Sequence, residues 1–186
     1  MRALRLSVAM AAVLAVAAMP AAAVADEHVE VMGGVVNGVM TQDYENPMGC
    51  AEWVLADGTI MPAPTHNVNA TGMTNLLGST TLTTAACYDA ANMFENVVDG
   101  QWTMAGEGED SLSGTYDANC VPDFSPQTGV PWECFGEWAI TDGTGAYEGA
   151  SGRLGGVATF MGTGFSEDGL MLTVPTEMRF EGIVAR

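Results

Sequence analysis

Between positions 138 and 160 the chain reads WAITDGTGAYEGASGRLGGVATF, and no other stretch limits its possible folds as much. Trp138 and Ile140 alternate with Ala139 and Thr141, the period of two that marks a strand with unlike faces. The alternation breaks at Asp142-Gly143-Thr144-Gly145 and resumes from Leu154. Glycines 143, 145, 149, 152 and 155 predict backbone at positive φ or in close approach to a neighbouring chain, as where a strand turns a corner in a sheet that curls on itself. A phosphate-loop reading of these glycines fails. Gly143, Gly145 and Gly149 are spaced one residue too widely for the dinucleotide fingerprint, no Gly-Lys-Ser/Thr follows, and a net charge of −18 repels phosphate.

The other segments extend this reading. Val29, Val31, Val35 and Val39 alternate with more polar positions and predict a first strand with the valines on its less exposed face. Residues 43–70 contain Pro47, Pro62 and Pro64 and predict an irregular excursion, with a hairpin at Asp57-Gly58. Leu76, Thr80, Leu82 and Thr84 predict a Thr-rich strand ending near Cys87, then a short turn or helix over 88–94. Asp99-Gly100 predicts a hairpin turn, and Leu112, Gly114 and Tyr116 one face of the next strand. A further hairpin is expected at Glu167-Asp168-Gly169. In the last strand Thr176, Met178, Phe180, Gly182 and Val184 alternate with Glu177, Arg179 and Glu181. No long stretch has the 3.6-residue apolar period of a helix. The chain is therefore expected to be all-β, one domain, a barrel or a sandwich.

The segment 142–152, DGTGAYEGASG, resembles the GGTGRFAGATG segment of small secreted bacterial β proteins, which are themselves similar to the allene oxide cyclase and dirigent-type barrels. A second stretch, NATGMTNLLG at 69–78 followed by the strand STTLTT at 79–84, is similar to a GNATHLG stretch and its strand in that group. The resemblance implies an antiparallel barrel of about eight strands. Asp142 stands where the group has glycine, and Glu148 where a small residue is common. No catalytic residue of the plant cyclases or dirigent proteins has a matching position here, and none is carried over.

Residues 1–25 read as an export signal. Arg2 and Arg5 form a basic start, residues 6–19 are apolar, and Ala23-Val24-Ala25 offers a cleavage site. Pro20 and the cleavage motif argue against a membrane anchor, so residues 26–186 are expected as a soluble barrel domain, secreted or periplasmic, with no membrane insertion after cleavage. Beyond residue 25 only Arg153, Arg179 and Arg186 face 23 acidic residues, and there is no lysine. Such a polyanion is not expected to bind nucleic acid. Cys50, Cys87, Cys120 and Cys134 all follow the signal and predict two disulfides in an oxidising compartment. Of the three connectivities, Cys50–Cys87 with Cys120–Cys134 is favoured, because the second pair brackets the proline-containing loop VPDFSPQTGVPWE.

Residues for chemistry are few. His28 and His66 are the only imidazoles, no Ser-His-Asp set can be assembled, and 23 acids make any chosen carboxylate pair arbitrary. Glu148 draws interest by its place in the corner, but reads first as a solvated loop residue. Cleavage after Ala25 would leave Asp26-Glu27-His28 as a terminus able to wrap Cu(II) or Ni(II) in square-planar nitrogen geometry, against the plainer reading of an unmetallated end. No cofactor is expected. The backed function is binding of an apolar small molecule in the barrel interior by Trp102, Tyr116, Trp138, Phe160 and Phe180, without hydrolase activity. The alternatives are a cyclase- or dirigent-like barrel enzyme and a structural surface protein with a packed interior.

Overall fold

Alternation in the last strand shows how the wall of the molecule is built. Val174, Thr176, Met178, Phe180 and Val184 are buried, while Arg179, Glu181 and Ile183 between them are exposed. In the computed structural model, which describes residues 28–43, 45, 48–54, 56–89, 96–122, 132–160 and 171–186, the same two-faced pattern recurs in strand after strand. The strands are β1 (Val29–Asp43), β2 (Glu52–Val54), β3 (Ile60–Pro62), β4 (Thr65–Thr74) and β5 (Gly78–Tyr88). They continue with β6 (Asn96–Ala105), β7 (Ser111–Pro122), β8 (Trp132–Thr144), β9 (Ser151–Phe160) and β10 (Met171–Ala185). Eight of them close an antiparallel barrel in the order β1-β10-β9-β8-β7-β6-β5-β4, and β2 pairs with β3 in a separate hairpin. From β4 onward each strand pairs with the next in sequence, and β1 closes the wall between β10 and β4. The all-β, single-barrel expectation holds.

The glycine-rich corner forms as expected. A single 3-10 turn, Gly145–Tyr147, joins β8 to β9, and Gly145, Gly149 and Gly152 take φ of 63°, 73° and 150°. Tyr147 from this turn is buried against the end of the barrel. Its hydroxyl donates to the Leu76 carbonyl at 3.2 Å, and the Arg186 guanidinium lies over its ring at 5.2 Å. Arg186 also donates to the Ala146 carbonyl at 2.9 Å and pairs with Glu30 at 3.0 Å. This end is closed by short connections, whereas the longer ones, from β1 to β4, β5 to β6, β7 to β8 and β9 to β10, all leave from the opposite end. Tyr147→Phe should lower stability by about 1 kcal/mol, the worth of one hydrogen bond, in urea unfolding followed by tryptophan emission. No change would show that the ring alone seals this end.

Both expected disulfides are present, Cys50–Cys87 and Cys120–Cys134, which agrees with an oxidising, extracytoplasmic compartment. The first ties the segment preceding β2 to the end of β5.

Three sequence expectations are corrected. In β1 the buried residues are Met32, Val36, Met40 and Gln42, while Val31 is 62% and Val35 41% exposed. Both faces of this strand are apolar, so alternation alone does not reveal which one turns inward. Asp99-Gly100 makes no hairpin. β6 runs on through it with a register shift between Val97 and Gly100, and Asp99 takes a φ of 54°. The excursion over 43–70 ends early, since β4 starts at Thr65, although the hairpin at Asp57-Gly58 is there between β2 and β3. The expected export segment, most of the turn or helix over 88–94, and the Glu167-Asp168-Gly169 hairpin lie outside the described residues.

Candidate binding site in the barrel interior

Inward-facing residues near the long-loop end form the site. β4 starts just after Pro64, and its second residue, His66, turns into the barrel opposite Gln42 of β1 and Ala86 of β5. His66 is 4% exposed, with Tyr88 and Phe160 meeting its ring edge-on at centroid distances of 5.5 and 5.4 Å. Both imidazole nitrogens are buried without a hydrogen-bond partner among the described residues. Burial pushes the His66 pKa down to about 4, so the ring is neutral at pH 7. A neutral imidazole has one donor and one acceptor, and here neither is used. Thr176, the cross-strand neighbour of Phe160, likewise buries its Oγ1 without a partner. Phe160 thus neighbours two residues with unsatisfied polar atoms, His66 by ring contact and Thr176 by strand pairing. Gln42 is satisfied, donating to the Tyr88 hydroxyl at 2.7 Å.

An aromatic stack lies deeper. Tyr116 of β7 stacks on Trp138 of β8 at 4.8 Å, and Trp102 of β6 approaches Trp138 at 5.6 Å. Trp102 Nε1 donates to the Thr115 carbonyl at 3.2 Å. The Tyr116 hydroxyl donates to Thr84 Oγ1 at 3.3 Å, and burial raises its pKa far above the ordinary phenol value. Gly136 and Gly156 pair across β8 and β9 beneath the indole. A Cβ on either would come within 2.8 or 2.9 Å of Trp138 Nε1, so glycine here is what lets the indole lie against the wall. Between His66 and this stack is a cavity of ≈ 20 Å³, lined by Tyr116, Trp138, Phe160 and Met178 among others. It has room for about one water molecule.

All five expected aromatics face the interior. Tyr116, Trp138 and Phe160 line the cavity, Trp102 sits behind Trp138, and Phe180 packs beside Gly34, away from the cavity lining. His66 was not singled out, because a lone histidine between Pro64 and an Asn-containing segment has no signature; only closure of the barrel buries it. Glu148 is exposed on the corner, as its plain reading had it. His28 is exposed, and its amide donates to the Arg186 carbonyl at 2.9 Å. A metal wrapped by the Asp26-Glu27-His28 terminus would need that amide nitrogen, so binding there competes with the end of the β1–β10 ladder; Asp26 and Glu27 lie outside the described residues. Among the described residues no group of three or more His, Cys, Asp or Glu is placed to hold a metal ion.

His66 has no carboxylate or hydroxyl within hydrogen-bond reach among the described residues, so nothing there orients it as a general base. Comparison with protein-family models, curated proteins and solved structures finds no match to this chain.

Proposed function

We propose that this chain is an exported small-molecule-binding barrel that takes an apolar ligand at the long-loop end of its interior. The observation that carries the reading is the apolar cavity walled by Tyr116, Trp138, Phe160 and Met178, with the unsatisfied His66 on its rim. The signal-like residues 1–25 and the two disulfides support export to the periplasm or beyond. The likeness of segment 142–152 to the allene oxide cyclase and dirigent-type barrels supports an interior used for a ligand. The present opening takes one small group of a ligand, and Met178, unbranched and adaptable, is the lining side chain best able to yield to more. Each 100 Å² of apolar ligand surface buried contributes about 2.5 kcal/mol, from which the costs of association are subtracted.

The test is a titration with 2-methylnaphthalene, followed by tryptophan emission. Saturable quenching is expected, weakened at least about tenfold (1.4 kcal/mol) in Ala118→Leu, whose longer side chain fills the lining at Ala118. Circular dichroism would confirm an unchanged fold. The small volume, ≈ 20 Å³, favours a second reading, a structural barrel with a filled interior. Absence of saturable binding to the wild type would decide for it.

A further inference from the structure

We infer that the ligand is a neutral alcohol with an apolar, ring-bearing body, its hydroxyl seated against His66; this rests on the binding function proposed above. Three observations lead there. First, His66 presents an unused donor and an unused acceptor in a buried, apolar setting, and Thr176, cross-strand from Phe160 but outside the cavity lining, buries a third unpartnered polar atom. An unmade buried hydrogen bond is costly, and a hydroxyl can meet either function of a neutral imidazole, donating to the bare nitrogen or accepting from the N–H. Second, the free space beside His66 is ≈ 20 Å³, the size of one water and therefore of one hydroxyl group. The ring-bearing body needs lining side chains to yield, Met178 first, and the lining it then meets includes the rings of Tyr116, Trp138 and Phe160.

Third, charge excludes the commonest apolar ligands, those ending in a carboxylate. Beyond residue 25 the chain has three arginines and no lysine. Arg153 and Arg179 are exposed on the outer face, and Arg186 is held by Glu30 and Ala146 at the closed end. None is available to an anion inside the barrel, and burying an unpaired carboxylate is prohibitive. A ligand cation fares no better, since no carboxylate lines the cavity among the described residues. A neutral polar group remains, and of these a hydroxyl fits the one-water space beside His66 and can either donate or accept there.

Three naphthalene probes separate the possibilities at pH 7: 2-naphthalenemethanol, its hydrocarbon isostere 2-ethylnaphthalene and the anion 2-naphthoate, each titrated into the full protein by tryptophan emission. The alcohol is expected to bind about tenfold more tightly than the hydrocarbon, one hydrogen bond's worth, and the carboxylate more weakly than either. In His66→Phe the alcohol should lose its advantage to within about twofold while the hydrocarbon still binds, and His66→Gln should keep part of the preference. Circular dichroism on each variant excludes misfolding as the cause. Equal binding of alcohol and hydrocarbon to the wild type, preference for the carboxylate, or an advantage that survives His66→Phe would overturn the inference and leave the binding function standing. If the hydrocarbon and the alcohol both fail to bind, the binding function itself falls, and this inference with it.

Discussion

Gly182→Ala should destabilise the barrel by about 4 kcal/mol or prevent folding, whereas Gly155→Ala in the adjacent strand should stay within about 0.5 kcal/mol of the parent. Both glycines lie on strands of the closed wall, and neither is needed for a positive φ. The difference is in what a methyl group would meet. A Cβ on Gly182 would overlap the Arg153 carbonyl oxygen and lie 2.6 Å from the Cα of Leu154. Both are backbone atoms of β9, which cannot rotate away as a side chain tip can. The strands would have to separate, breaking the β9–β10 ladder around the Gly182–Leu154 pair. On Gly155 the same methyl would find its nearest neighbour, the Glu181 carbonyl oxygen, at 3.8 Å, an ordinary contact. Urea unfolding of the two variants, followed by tryptophan emission, measures the difference. Equal, small losses would show that the tight curl at Gly182 relaxes at little cost.

Acidification gives the second large effect. His66 titrates near 6.5 when unfolded and near 4 when folded, because burial penalises its charged form. A folded pKa below the unfolded one means that the unfolded chain takes up the proton first. Its contribution is therefore constant above pH 6.5, and stability is lost as pH falls from 6.5 to about 4, with no further loss below. The shift corresponds to roughly 3 kcal/mol. The Tyr88 ring meets the imidazole edge-on, Tyr116 lines the same cavity with its hydroxyl on Thr84, and no carboxylate among the described lining residues offsets the charge. Unfolding free energies of wild type and His66→Phe at pH 7 and pH 4 are the measurement. The wild type should fall further by roughly 3 kcal/mol, and parallel declines would mean that water or a shifted side chain solvates the imidazolium.

What could be read in the chain beforehand follows physical lines. The last strand was legible because its outer positions carry Glu177, Arg179 and Glu181, so charge marks the solvent side. The corner was legible because Gly145 and Gly149 serve a local backbone need that other residues meet badly. The facing of β1 was hidden: valines on one side and Met32, Val36 and Met40 on the other are alike in hydropathy, polar residues fall on both faces (Asn37 outward, Gln42 inward), and only the partners β4 and β10 decide. Asp99-Gly100 has the same local chemistry in a bulge as in a hairpin, so the choice depends on whether strands continue beyond it. The interior aromatics could be proposed from alternation. The void next to them and the stranded imbalance at His66 could not, since both exist only where six or more strands converge.

The place of β1 in the wall has a temporal consequence. It pairs with β10 along its full length, from Val29 with Ala185 to Asp43 with Met171. Strands β4 to β10 can zip one after another as sequence neighbours, but the seam between β1 and β10 joins the most distant parts of the described chain. Loop-closure entropy must be met before that seam contributes anything, and folds dominated by such distant pairing are slow. Until then the growing sheet is an open ribbon with its inner face, His66 included, wetted by solvent. Closing that seam is the step that removes the inner face from solvent, and a chain held open there would present it to whatever surrounds the molecule.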